Sequence, residues 1–154
     1  MLSDETKTDA FTEFFSAVEG NLRRALTGAL GGELGREAAA EALAYGWEHW
    51  NEVQEMENPP GYLYQVGLNH GKKARARRVS LPPVPSVKVP WVEPGLPDAL
   101  ARLPEQQRVA VYLVWGHEWS MSEVAGLLGV SKGTVQKHVE RGMSKLRHRL
   151  GVEV

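Results

Sequence analysis

Apolar residues recur every three or four positions along most of the chain, separated by two stretches where the pattern stops. FTEFFSAVEGNLRRAL puts Phe11, Phe14, Phe15, Val18, Leu22 and Leu26 on one helical face. The glycines of TGALGGELG (Gly28, Gly31, Gly32, Gly35) predict a loop or a frayed helix end. REAAAEALAYGWEHW follows, rich in strong helix formers, with Leu43, Trp47 and Trp50 expected on one side. Asn58-Pro59-Pro60-Gly61 interrupts it, and a further helix, YLYQVGLNHGKKARARR, ends in a basic run.

Residues 79–95, VSLPPVPSVKVPWVEPG, carry Pro82, Pro83, Pro85, Pro90 and Pro94. Proline lacks an amide donor and fixes φ, so this stretch predicts an extended linker. Helical periodicity resumes at Leu96 with LPDALARL and then PEQQRVAVYLVW, where Pro104 suits a first turn. SMSE sets Ser120 and Glu123 at capping-box spacing, ahead of Val124, Leu127 and Leu128. Gly129 marks a corner, and Ser131 is placed to cap a last helix with Val135, Val139, Met143, Leu146 and Leu150 as its buried stripe. No segment alternates with period two and no repeat is present. The expected fold is all-α, two small helical bundles over 1–78 and 96–154 joined by the 79–95 linker.

Charge changes this picture more than composition does. The net charge of −1 over 154 residues and 42% apolar content describe an ordinary globular chain. Yet residues 1–57 hold twelve acids against four bases, whereas 131–149 hold six bases against Glu140 alone. Such asymmetry predicts a basic end that meets nucleic acid and an acidic end that meets something else. The absence of cysteine fits a reducing compartment and removes thiolate chemistry. No apolar run reaches the roughly 20 residues a membrane helix needs. MLSDETKTDA has neither the basic nor the apolar part of a signal peptide, which points to a cytoplasmic protein.

The stretch LLGVSKGTVQKHVERG has the parts of a helix-turn-helix reader: a supporting helix, a glycine corner, and a second helix with polar early residues. With Val135 and Val139 inward, the outward face carries Lys132, Thr134, Gln136, Lys137 and Arg141. Gln suits adenine, Lys or Arg suits guanine or phosphate, and Thr suits a methyl or phosphate. The alternative is a helical hairpin with a solvated basic face.

Residues 96–150 resemble region four of bacterial RNA polymerase sigma factors of the extracytoplasmic-function type. The resemblance lies in LARLPEQQR, E-V-A before LLGVS, the G-T-V that opens the last helix, and R-G-x-x-x-L-R near its end. The N-terminal half is similar, more loosely, to region two of that family. REAAAEALAYGWEHW stands where the family contacts the polymerase clamp: Glu37 and Glu41 match its acids, Leu43 its apolar position and Trp47 its terminal Trp, while Ala40 replaces the usual Gln. PPGYLYQVGLN follows the family's P-x-x-W-L-Y-x-x-x-x-N, with Tyr62 at the Trp position and Asn69 matching, and KKARARR follows its arginines.

The resemblance implies a promoter-specificity subunit. Its partners would be the clamp and flap of core polymerase, promoter DNA, and a dedicated anti-sigma factor. Core binding would fall to Glu37, Glu41, Leu43 and Trp47. The proximal element and its melting would fall to Tyr62, Tyr64, Asn69, Lys72, Lys73, Arg75, Arg77 and Arg78. Aromatic stacking beside a basic groove is how single strands are held, although either tyrosine also fits a core role. The distal element would fall to Lys132, Thr134, Gln136, Lys137 and Arg141, with Arg108 on a phosphate. A rival reading is a stand-alone helix-turn-helix regulator that does not bind the polymerase. Nothing predicts an enzyme, a metal or a cofactor: the five histidines lack ligand spacing, and no phosphate loop or nucleophile elbow is present.

Overall fold

In the computed structural model, residues 4–78 and 95–151 are described, and every regular element among them is helical. The N-terminal half holds α1 (Asp4–Leu30), α2 (Gly32–Glu48), the single turn α3 (Trp50–Val53) and α4 (Pro59–Arg78). The C-terminal half holds α5 (Leu96–Ala101), α6 (Glu105–Val111), a π-helical turn (Tyr112–Gly116), α7 (Met121–Leu128) and α8 (Lys132–Leu150). The proline-rich linker expected over 79–95 lies outside the described residues except for Gly95.

The glycine-rich segment is not a loop. α1 runs through Gly28, and only Gly31 (φ 90°) separates it from α2. Gly28 and Gly35 serve close approach instead. A Cβ on Gly35 would lie 2.5 Å from the Thr27 Cα, so α1 and α2 cross almost backbone to backbone, with Ala38, Ala39 and Ala42 buried along the contact.

The corner of α7 and α8 forms from local chemistry. Ser120 Oγ accepts from the Glu123 amide at 3.0 Å, and Glu123 Oε1 accepts from the Ser120 amide at 3.0 Å. Those backbone and side-chain bonds hold the Glu123 carboxyl below its ordinary range. Gly129 ends α7 at φ 69°, ψ 33°, a left-handed conformation that suits glycine. The Thr134 amide donates to Ser131 Oγ at 3.1 Å, which starts α8. Ser131→Ala is expected to cost about 1 kcal/mol, and so to lower the melting temperature by about 2–4 °C in a circular-dichroism melt.

Both halves share one buried cluster. Leu22, Leu26 and Ala29 of α1 and Leu63 and Leu68 of α4 belong to it, and so do Val109, Leu113, Val124, Leu127 and Val135 from the other half. α1 packs on α6 and the π turn, and α4 packs on α7. A smaller cluster of Ala99, Leu103, Val111 and Leu146 belongs to the C-terminal half alone. The stripe of α8 faces these clusters as the periodicity predicts, with Val135, Val139 and Leu146 buried. Trp47 departs from the expected stripe. α2 ends at Glu48 and the chain bends at His49, so Trp50 is buried while Trp47 is 39% exposed.

Candidate nucleic-acid interface

α8 presents the expected polar face. Lys132, Gln136, Lys137 and Arg141 are exposed, while Thr134 is half-buried with its hydroxyl 2.9 Å from Ser131 Oγ. Gln136 Nε2 donates to Glu140 Oε1 at 3.2 Å, a surface bond that exchange for a base edge can replace. The basic C-terminal half continues through Lys145, Arg147 and Arg149.

On α4 the expected residues divide. Tyr62 is exposed, and its hydroxyl lies 3.2 Å from that of Tyr45, whose ring stacks on His49 with centroids 4.0 Å apart. The bond to Tyr62, with burial second, raises the Tyr45 phenol above its ordinary pKa. Tyr45 and His49 extend the aromatic surface beyond what the sequence pattern named. Tyr64 must be corrected: it is only 2% exposed, and burial pushes its phenol well above its ordinary pKa, so it is a core residue and no stacking platform. Asn69, Lys73 and Arg77 are exposed. Lys72 Nζ lies 3.3 Å from Glu105, Arg75 Nη2 donates to the Leu30 carbonyl at 2.9 Å, and Arg78 Nη2 donates to Glu37 at 2.8 Å.

Arg108 is also a correction. Instead of facing outward, its guanidinium is folded among carbonyls: Nε donates to Gly28 O at 2.9 Å, Nη2 to Ala29 O at 2.5 Å, and Nη1 to Leu103 O at 2.9 Å. Burial, then the nearby Arg75 cation, lowers its pKa.

The residues expected to meet the polymerase lie on or beside α2. Glu41 and Trp47 are exposed, and Lys7 sits 4.7 Å above the Trp47 ring. Glu37 is half-buried, engaged by Arg78 and 3.5 Å from His70 Nε2. Leu43 is buried (5% exposed), so it supports the surface instead of projecting from it. Between α1 and α2 runs a groove of about 820 Å³, lined by Phe11, Phe15, Arg36, Ala40, Leu43 and Trp47 among others. Ala40, where the resemblance expects Gln, puts a methyl group on its lining. Phe11 and Phe15 were legible as an apolar pair at i,i+4, but their place in this groove depends on how α1 crosses α2.

Among the described residues no group of acids and histidines could hold a metal ion, and no helix is long and apolar enough to cross a membrane. Residues 99–148 match the family model described as Sigma-70, region 4. The chain is 29% identical over 119 residues to the RNA polymerase sigma-E factor of Streptomyces antibioticus, covering 71% of this chain and 66% of that relative. Its fold is similar, with TM-score 0.62 and 18% identity, to the sigma factor RpoE solved with the anti-sigma factor NepR from Bartonella quintana, covering 94% and 99% of the two chains. The helix-turn-helix half is thus a sigma-70 region 4 domain. Over its described residues the chain shares the all-helical fold of that solved sigma factor.

Proposed function

We propose that the chain is an alternative sigma factor: it joins core RNA polymerase, directs it to a class of promoters and supports initiation there, without catalysis of its own. The observation that carries this reading is the exposed Lys132–Gln136–Lys137–Arg141 face on α8, held by a capped glycine corner inside the region 4 match. Residues 1–78 form the core-binding and melting domain, 79–95 the linker and 96–154 the distal reader. The work is cytoplasmic. Glu41 and Trp47 meet the polymerase clamp beside the α1–α2 groove, region 4 meets the flap, and an anti-sigma factor is a fitting inhibitor. Tyr62, Asn69, Lys73 and Arg77 line the side of α4 that takes the opened strand, by stacking and charge. Two weak modules on one chain gain affinity through effective concentration, so neither has to bind tightly alone.

The test is gel filtration with core polymerase. The wild-type chain should co-elute with the enzyme, and Glu41→Lys at an exposed position should abolish co-elution while the melting curve stays unchanged. Duplex binding without any polymerase association would overturn the reading in favour of a stand-alone regulator.

A further inference from the structure

Of the two tyrosines expected to face the opened strand from α4, only Tyr62 reaches the surface, so stacking there falls on one ring. An exposed tyrosine in a first helical turn ordinarily samples several rotamers. Tyr62 is not left in that state. Its amide donates to the Asn58 carbonyl at 3.0 Å, which sets its backbone. Its hydroxyl lies 3.2 Å from the Tyr45 hydroxyl, and the two rings are tilted by 47° with centroids 6.1 Å apart. Tyr45 is fixed in turn from α2. Its ring stacks on His49, and His49 Nδ1 donates to the Tyr45 carbonyl at 3.1 Å, which pins the imidazole. A line of support therefore runs from the end of α2, through two stacked rings, to one hydroxyl on α4.

We infer that Tyr45 is a positioning residue: through its hydroxyl it aims the Tyr62 ring at an unpaired base of the opened strand. This rests on the sigma-factor reading for the source of the strand, and adds to it the group that orients the stacking ring. Tyr62 stands where the resemblance has Trp, and its smaller ring offers a base less area. Holding that ring in place before the strand arrives offsets part of the loss, because a side chain already ordered gives up less freedom on binding. One hydroxyl of the pair donates to the other, and the accepting one keeps its own proton for a base edge or a phosphate. Every base has a π face, so this platform takes an unpaired strand without reading its sequence.

The hydroxyl pair has little to do for the fold. Both oxygens lie at the surface, where water replaces such a bond at small cost. Tyr45→Phe keeps the ring that stacks on His49, and Tyr62→Phe keeps a ring for the base. Removing either oxygen thus separates the aim of the ring from the stacking area and from the stability of the helices.

The probe is a short thymine strand carrying one 2-aminopurine, whose fluorescence falls when the base stacks. Bound to the full-length chain, this base should be quenched by the wild type. Tyr45→Phe should lower its stacking equilibrium about five-fold, Tyr62→Phe by the same factor, and the double variant no further. The salt dependence of strand binding, which belongs to the cations of α4, should stay as in wild type. In the holoenzyme, with 2-aminopurine in the melted element of a promoter duplex, Tyr45→Phe should slow opening about five-fold as well. A tyrosine that merely supported the fold would lower the melting temperature and leave the quench in place. Wild-type quenching in Tyr45→Phe would overturn the assignment, and so would single effects that add in the double variant, or a wild-type chain that does not quench the base. The single-strand readout needs no polymerase, so loss of co-elution would defeat the sigma reading while the quench still decides whether Tyr45 aims Tyr62.

Discussion

Leucine at position 35 is expected to separate α1 from α2 and produce the largest loss of stability of any single change at the surface of these helices. The Cβ it introduces would lie 2.5 Å from the Thr27 Cα, 2.6 Å from the Thr27 nitrogen and 2.9 Å from the Leu26 carbonyl carbon. These are backbone atoms in the middle of a hydrogen-bonded helix, and they cannot rotate away as a side-chain end can. Nor can the connection absorb the shift. Gly31 is the single residue between the helices, and its amide and carbonyl are bonded at 2.8 Å to Thr27 and Gly35. Overpacking typically costs 1–3 kcal/mol, and against backbone the cost should reach about 3 kcal/mol or more. At about 2–4 °C per kcal/mol for a chain of this size, the melting temperature should fall by roughly 6–12 °C. Gly32→Ala is the control, since a Cβ there meets nothing within 4 Å. The groove beside Trp47 is made by this same crossing, so Gly35→Leu should also lose co-elution with core polymerase. A melting temperature within about 2 °C of wild type would mean that the crossing is looser than its geometry indicates.

The same glycine explains why the N-terminal half was harder to read than the C-terminal half. Ser120, Glu123, Gly129 and Ser131 act on atoms three or four residues away, so their meaning is local and survives in a single sequence. Gly28 and Gly35 act on Tyr112 and Thr27, and local reasoning took their segment for a loop or a frayed helix end because glycine is ordinarily punctuation. Tyr62 and Tyr64 show how far periodicity carries. Two residues apart on a helix they face nearly opposite ways, so one exposed and one buried was the outcome that helical geometry favoured. Which of the two was buried depended on packing that periodicity does not contain. Arg108 is the extreme case. Its position in the family-like motif suggested a phosphate, whereas its partners are nearby carbonyls and two others 79 and 80 residues earlier in the chain. The only trace of that contact in the sequence is the lack of a basic residue at the end of α1.

The largest functional effect is expected from reversing charge on the reading helix. Lys132 stands at the first residue of α8 and Arg141 two and a half turns on, both exposed. On the proposed reading, changing both to glutamate removes two phosphate partners and places two carboxylates against a polyanion. Each lost phosphate contact should flatten the plot of log affinity against log salt by about 0.9. With repulsion added, duplex binding near 0.1 M salt should fall on the order of 100-fold or more, across all sequences alike. Gln136→Ala should behave differently. A bidentate base contact carries about 1–3 kcal/mol of discrimination, so its loss should relax preference at one base pair and leave the salt slope intact. Substitutions at exposed positions generally move stability by less than about 0.5 kcal/mol, so both variants should melt like wild type. Fluorescence anisotropy against a promoter duplex and a scrambled one, at several salt concentrations, separates the two effects. If Gln136→Ala weakens both duplexes equally, α8 holds the backbone without reading bases there. If the charge reversal leaves the salt slope unchanged, the phosphates are met elsewhere, and Lys145, Arg147 and Arg149 on the same helix become the residues to change next.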